Sequence, residues 1–218
     1  MPRPREFDED TALDAATAQF WSHGYEATSV RDLAATMGLT AASLYNAFGD
    51  KRTLYERVLE RYVERGFRDR VRRFEHRLPP RDAIVAFFDE IVRLSVGDPH
   101  RKGCLIVNSA LELAPHDKQF HRVLRGVLEE MEGFFTRCVT AGQADGTIPA
   151  DLPAADLGHG LLAALMGLRV LARVDPRRMA LEAAARPMLA AIGVESGARS
   201  TTLNRRPRAR KTTPVSTQ

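Results

Sequence analysis

The sequence predicts an all-α protein, because helical periodicity and helix punctuation account for most of its length. Apolar residues recur in successive segments at the i, i+3, i+4 and i+7 spacing of one helix face. Glycine and proline stand where these segments end, as at Gly38, Gly97 and Pro79. The 218 residues, 44% hydrophobic and 28% charged, suffice for a soluble protein with a substantial buried core.

Two short helices joined by a turn at Met37-Gly38-Leu39 are the most informative stretch. Ser29 is placed to cap the first helix and Thr40 the second, since a hydroxyl can accept a free N–H of the first helical turn. Gly38 suits the left-handed position just past a helix. This arrangement is typical of a helix-turn-helix, whose second helix lies in the major groove of DNA. The spacing alone is equally compatible with a helical scaffold that does not bind DNA.

A longer pattern around this turn resembles a known family. The string Gly24-Tyr25-Glu26-Ala27-Thr28-Ser29-Val30 is followed by Asp32-Leu33-Ala34, Gly38-Leu39-Thr40, Leu44-Tyr45, Phe48, Lys51 and Leu54. Together they resemble the N-terminal signature of the TetR/AcrR family of transcriptional regulators, over roughly residues 10 to 60. The rest of the chain resembles the family only in general plan. The resemblance implies a DNA-binding regulator without enzymatic activity, expected to be a repressor released by a small-molecule or thiol-reactive effector.

The resemblance also indicates which residues contact an operator in double-stranded DNA. The expected contacts are Ser29, Arg31, Thr40, Ala41, Ser43, Tyr45, Asn46 and Lys51. Hydroxyl and amide side chains can bond phosphates or base edges, and a lysine at a helix N-terminus suits a phosphate. Tyr45 is expected to pack its ring in the core while its hydroxyl reaches the DNA backbone. The family often has a basic residue and a glycine where this chain has Ala41 and Ala42, which implies weaker phosphate attraction or a different operator.

Bulk charge does not support DNA binding. The net charge of +4 comes mainly from the C-terminal tail, and residues 1–80 contain 13 basic and 13 acidic side chains. Only the local placement of charges on the folded head could attract phosphates.

The chain divides into a head, a linking helix, a body and a tail. Residues 1–54 are predicted to form the helix-turn-helix domain, with a long helix over about residues 50–77 linking it to the body and ending at Leu78-Pro79-Pro80. Residues 78–195 are the predicted ligand-binding and dimerisation domain, and residues 196–218 a disordered basic tail.

The last two predicted helices are candidates for a homodimer interface. Residues 154–173 are apolar nearly all round, so every face of this helix must be buried. Residues 176–193 form an alanine-rich helix that Pro187 should kink or shorten. The resemblance implies that this pair dimerises as a four-helix bundle. A monomer whose final helices close its own core is the alternative.

Apolar side chains of the body are candidates for an effector pocket between the linking helix and the helix over residues 154–173. They are Phe67, Phe87, Phe88, Ile91, Cys104, Phe120, Leu124, Met131, Phe134 and Leu165. Cys104 follows Lys102 and Gly103 at an expected helix N-terminus, which favours a sensor thiolate. A small buried hydrophobe is the other interpretation of Cys104, and Cys138 is expected to lie in the core.

Other functions have weaker support. Cys104 with His100, His116, Glu112 and Asp117 could form a thiol enzyme, but no second catalytic motif accompanies them. The spacing of His100, His116 and His121 matches no common metal site, so no metal and no cofactor are predicted. Without an apolar run of membrane-spanning length or a secretory signal, the sequence predicts a cytoplasmic protein that does not bind membranes.

Overall fold

The computed structural model describes residues 7–195, and every regular element among them is helical. This confirms the predicted all-α class. The predicted disordered basic tail, residues 196–218, lies outside the described residues, as do residues 1–6.

Three short helices, α1 (Glu9–His23), α2 (Val30–Thr36) and α3 (Ala41–Phe48), form the N-terminal unit. The Ser29 hydroxyl accepts the Asp32 backbone N–H at 3.1 Å, and the Asp32 carboxylate accepts the Ser29 N–H, which together make a capping box. Thr40 caps α3 through the Ser43 N–H at 3.1 Å. Gly38 has a φ of 67°, the left-handed turn expected between the two helices. The core beneath them contains Ala16, Phe20, Leu33, Leu44 and Phe48.

A π-helical turn interrupts the predicted linking helix. Where the sequence predicts one helix, the chain forms α4 (Lys51–Val63), a π turn (Glu64–Arg68) and α5 (Asp69–Glu75). A π turn takes an extra residue per turn and so rotates the faces that follow it. Phe67, inside the turn, is buried in the core. Apolar periodicity does not reveal a change confined to one turn.

Ion pairs join this linking segment to the body. Arg68 bonds the carboxylate of Glu130 at 2.8 Å, and Glu90 accepts from both Arg70 at 2.8 Å and Arg73 at 3.0 Å. Glu90 has a lowered pKa because its two arginine partners outweigh its burial. These arginines therefore connect the linking segment to the body.

The body consists of α6 (Pro80–Val96), α7 (Leu105–Glu112), α8 (Lys118–Ala144), α9 (Ala154–Val174) and α10 (Arg178–Ala191). The long α8 packs against α6 and α9, while the short α7 contacts α4, α8 and α9. Phe87, Phe134 and Phe135 form an aromatic core, with ring centroids 5.2 to 5.5 Å apart. Helix α7 therefore contacts α4 of the linking segment directly.

Helix α9 has the length and composition of a membrane span, with a mean hydropathy of 1.4. It nevertheless packs closely on α8: a Cβ added at Gly158 would lie 3.1 Å from the backbone nitrogen of Thr136. Its remaining apolar side, including Val174, is exposed in the single chain. Helix α10 continues past Pro187 to Ala191, so the proline does not shorten it there.

Candidate DNA-binding surface and internal cavity

The predicted DNA contacts lie on and beside α3. Arg31, Thr40, Ala41, Tyr45 and Asn46 are exposed, and Ser29 is exposed at the start of α2. Ser43 and Lys51 are partly buried. Thr40, Ala41, Tyr45 and Asn46 therefore form an exposed side of α3 and its N-cap.

Tyr45 differs from its predicted role. Its side chain is 51% exposed, whereas the core side of α3 consists of Leu44 and Phe48. The predicted packing of the Tyr45 ring in the core is therefore wrong. The eight-residue α3 buries only one narrow face, and position 45 lies next to that face, not on it.

The cations near α3 are few, and carboxylates accompany them. Lys51 Nζ lies 4.2 Å from the ring centroid of Tyr25, and Arg31 is exposed. Asp32 has a lowered pKa because Ser29 donates to it, and Asp50 has a lowered pKa because the Thr53 N–H donates to it. Both carboxylates are thus held ionised as helix caps. Phosphate attraction by the described head must depend on individual cations and helix N-termini.

Helix α7 connects the body to the turn between α1 and α2. The Glu112 carboxylate at its C-terminal end accepts the backbone N–H groups of Tyr25 at 3.2 Å and Glu26 at 2.8 Å. Tyr55 of α4 shares a 2.7 Å hydrogen bond with Ser109 of α7, and burial raises the pKa of Tyr55 to about 12. Three contacts of α7 with the head and the linking helix therefore fall within one turn.

A second connection lies at the start of α8. Arg52 of α4 forms an ion pair with Asp117, which also accepts the N–H groups of Gln119 and Phe120 as the N-cap of α8. The Arg52 guanidinium holds the pKa of the Asp117 carboxyl well below its usual range. The Phe120 ring packs on Tyr25 at 5.4 Å and on Tyr55 at 5.6 Å. The position of the head on the body is thus set by charged, hydrogen-bonded and aromatic contacts together.

A cavity of about 550 Å³ lies between α1, the linking segment and the body. Its walls come from α1, the π turn with both adjoining helices, α6, the loop over residues 97–104, α8 and α9. The volume falls within the range of roughly 300–1,000 Å³ that is usual for small-molecule sites. The cavity can therefore hold a small organic ligand.

The cavity brings together six of the ten predicted ligand contacts. They are Phe67, Phe87, Ile91, Cys104, Met131 and Leu165. The other four, Phe88, Phe120, Leu124 and Phe134, are fully buried and are not part of its wall. Phe88 and Phe134 pack on Phe135, and Phe120 belongs to the head–body junction. Helical periodicity identifies buried residues but does not separate those lining a void from those filling the core.

Cys104 lies at the N-cap of α7, in the cavity wall. It is 7% exposed, and the Tyr62 hydroxyl donates to its Sγ at 3.7 Å. Burial raises the pKa of Tyr62, so this hydroxyl remains a neutral donor. Burial also raises the pKa of Cys138 to about 12, which fits its expected place in the core.

The sequence did not indicate that several polar residues line the cavity. The rings of Trp21 and Tyr62 pack edge to face with centroids 5.0 Å apart, and Lys102 Nζ lies 4.4 Å from the Trp21 ring centroid. Arg169 of α9 is buried and donates to Ser95 Oγ at 2.7 Å. The one signal for it in the sequence was its position, with Arg173, in a mostly apolar helix.

The residues of the alternative thiol enzyme have other partners. Glu112 holds the turn after α1, and Asp117 caps α8 and pairs with Arg52, so neither carboxylate serves Cys104. Within residues 7–195, no three His, Cys, Asp or Glu side chains are grouped closely enough to hold a metal ion.

Comparison with known proteins identifies the family. Residues 12–58 match the family profile described as bacterial regulatory proteins of the tetR family, and residues 80–188 match the tetracyclin repressor-like C-terminal domain. The HTH-type transcriptional repressor ComR of Escherichia coli (strain K12) is 31% identical over 172 residues, which cover 78% of this chain and 82% of ComR. The chain belongs to the TetR family. It is a TetR-type DNA-binding transcriptional regulator.

Solved TetR-family structures share this fold. A cysteine mutant of the regulator CifR, solved in complex with 26-bp double-strand operator DNA, is 32% identical and has a TM-score of 0.78. The match covers 87% of this chain and 99% of that one. The reduced form of NemR from E. coli has a TM-score of 0.77 at 15% identity, with 86% and 97% of the two chains covered, which shows the fold alone.

We expect the Glu112→Ala variant of this TetR regulator to loosen the turn after α1. Hydrogen bonds to charged groups contribute about 1.5–3 kcal/mol each, so loss of this carboxylate should speed amide exchange at Tyr25 and Glu26 by about 10-fold or more. Hydrogen exchange followed by NMR measures this directly. Glu129→Ala, which removes an exposed carboxylate of α8, is the control. Unchanged protection at Tyr25 and Glu26 in Glu112→Ala would show that the carboxylate does not hold the turn.

Proposed function

We propose that this regulator is a cytoplasmic repressor that binds a two-fold operator as a homodimer and releases it when an effector occupies the cavity. The observation that carries the proposal is the position of α7. Its N-cap, Cys104, lies in the cavity wall, and its last residue, Glu112, holds the DNA-binding head. One short helix therefore touches both sites.

Helix α7 is suited to transmit a displacement. Its eight residues span about 12 Å as a rigid element at 1.5 Å per residue. A ligand that moves its N-cap also moves Ser109 and Glu112, and with them Tyr55 and the turn after α1. A coupling free energy of about 1–3 kcal/mol is typical of such linked sites, so a small preference of the ligand for one head position suffices.

The relatives support repression as the sign of regulation. ComR is named a transcriptional repressor, as is DhaR of Mycobacterium sp. (strain GP1), which is 27% identical over 175 residues. FasR of Mycolicibacterium smegmatis, named an activator, is 35% identical over only 98 residues. ComR and DhaR thus each match more of the chain than FasR does.

The proposed operator contacts are the polar and small side chains on and beside α3. Thr40 and Ser43 present hydroxyl groups and Asn46 an amide, which can bond phosphates or base edges. Ala41 can contact a thymine methyl, and Tyr45 projects its ring and hydroxyl toward the groove. Lys51, Ser29 and Arg31 stand at helix N-termini, where backbone N–H groups add to phosphate binding. The complex of CifR with operator DNA supports the same use of the head here.

Two substitutions separate phosphate contacts from base contacts. We expect Lys51→Ala to weaken binding similarly on all sequences and to lower the salt slope of log K by about one, whereas Asn46→Ala should change sequence preference. An operator selected from random duplexes, followed by gel-shift titration at several salt concentrations, measures both. Arg122→Ala removes an exposed arginine of α8 and should change neither. Wild-type protein that selects no sequence would contradict the proposed function.

The proposed homodimer forms through residues 154–173 and 176–193. Val170 and Leu171 of α9 are 43% and 45% exposed, Val174 is 77% exposed, and Met179, at the start of α10, is 80% exposed. Ala163 and Gly167 extend this apolar side along α9. Contiguous exposed apolar surface on adjoining helices is typical of a protein–protein interface. A second copy of the chain would also supply the helix-turn-helix that binds the second half-site of the operator.

We expect Leu171→Glu to give monomers, because a paired copy would bury the new charge. Sedimentation velocity would then show a mass near the 24.2 kDa of one chain. Leu111→Glu introduces the same charge at a leucine of α7 that is 69% exposed, and should leave the dimer intact. A dimeric Leu171→Glu protein, or a monomeric wild type, would contradict the proposed interface.

A covalent effector acting on Cys104 is the second candidate. The thiol is nearly buried and receives a hydrogen bond from Tyr62, so we favour a reversible ligand beside it. Under this proposal, Cys104→Ser keeps its response to reversible effectors in the operator gel shift. Loss of every response in Cys104→Ser, with operator binding intact, would instead favour the thiol mechanism.

A further inference from the structure

Arg169 is a buried cation that has no carboxylate partner among residues 7–195. The residue is 9% exposed and lines the cavity. One terminal nitrogen donates to Ser95 Oγ at 2.7 Å, and the other donates to the carbonyl oxygen of Gly103. Both acceptors are neutral, and a guanidinium has five N–H donors. Because an unpaired buried charge is costly, this position favours an incoming anion.

A second donor without an acceptor belongs to the same cavity wall. Trp21 lines the cavity, and its Nε1–H is buried with no hydrogen-bond partner in the described part of the chain. Nearly all buried polar groups in native proteins are hydrogen-bonded, so an unmatched donor calls for a partner. The cavity wall thus has N–H donors without an acceptor on both α1 and α9 in the described part of the chain.

The carboxylates of the cavity wall do not supply these acceptors. Asp14 is engaged by Arg61 at 2.7 Å and by Arg65 at 2.8 Å. Asp98 accepts two backbone N–H groups of its own loop, at 2.7 and 3.1 Å. Lys102 adds a further cation, seated over the Trp21 ring. The cavity is therefore rich in donors and positive charge.

Apolar side chains form another part of the wall. Phe67, Phe87, Ile91 and Leu165 line it and are nearly fully buried. One buried guanidinium matches the single charge of a carboxylate, whereas a phosphate monoester carries about −1.5 to −2 near neutral pH. The chemistry of the wall thus combines one anion-binding position with a hydrophobic chamber.

We propose that the effector is an amphiphilic monocarboxylate, whose carboxylate binds Arg169 and whose hydrocarbon part fills the apolar chamber. This inference deepens the proposed function and rests on it in one respect: it assigns the ligand class of the cavity that is proposed to control operator release. Lys102 raises the local positive potential that attracts the anion.

Trp21 is the single tryptophan of the chain and so reports on its own cavity by fluorescence. The probes are octanoate and 4-phenylbutanoate, each compared with its primary amide, which has nearly the same shape without the charge. In the wild type, both carboxylates should change the fluorescence with affinities about 10-fold or more above those of their amides. This comparison requires no variant.

Arg169→Met keeps the apolar stem and removes the charge. It should abolish the preference for carboxylate over amide, whereas Arg169→Lys should retain part of it and Arg122→Met all of it. Circular dichroism verifies that each variant is folded. If Arg169→Met does not fold, the inference is still tested by the carboxylate preference of Arg169→Lys and by the comparison of carboxylate with amide in the wild type.

Three results would overturn the inference: equal affinities for carboxylate and amide, a preference that survives in Arg169→Met, or no fluorescence response to either carboxylate. The titrations contain no DNA, so a carboxylate preference would stand even if operator binding failed. Operator release by both amides and carboxylates at equal concentrations would keep the proposed function and refute the assigned ligand class.

Discussion

The contact on which the arrangement of the two domains depends is that of Glu112 with the turn after α1. Its carboxylate accepts two backbone N–H groups of the head, and Gly24 allows the approach, since an added Cβ would lie 3.0 Å from a Glu112 oxygen. These hydrogen bonds fix the position of the turn, because the N–H groups that donate them belong to its backbone. The C-terminal end of α7 therefore fixes the position of this turn of the DNA-binding head.

The cavity lies at the other end of the same helix, and its polarity is unusual for a protein core. Arg169 joins α9 to Ser95 of α6 and to Gly103 of the loop before α7. A Cβ at Gly103 would come within 2.8 Å of Arg173, and the glycine has a φ of 72°, so this backbone position suits glycine alone. The loop that ends at Cys104 is thus held against α9, where a ligand at Arg169 would act on it.

Much of the head followed from the sequence, because its signals are local. The caps at Ser29 and Thr40 and the turn at Gly38 each depend on a few neighbouring residues, and all three occur in the structure. The candidate site was predicted less well. Periodicity selects buried positions, so Phe67 and Phe134 look alike in the sequence, although only Phe67 lines the cavity. Arg169 had no local partner by which it could be recognised.

The sequence by itself determined the helical class, the helix-turn-helix with its caps, and the apolar helices at the C-terminal end of the body. These features depend on the 3.6-residue period and on the conformational preferences of single residues. Only the tertiary structure decided that Glu112 holds the head, that the Tyr45 ring is exposed, and that Trp21 and Arg169 share one cavity. The first and the last of these facts join residues 86 to 148 positions apart, and short-range sequence patterns do not reveal contacts over such separations.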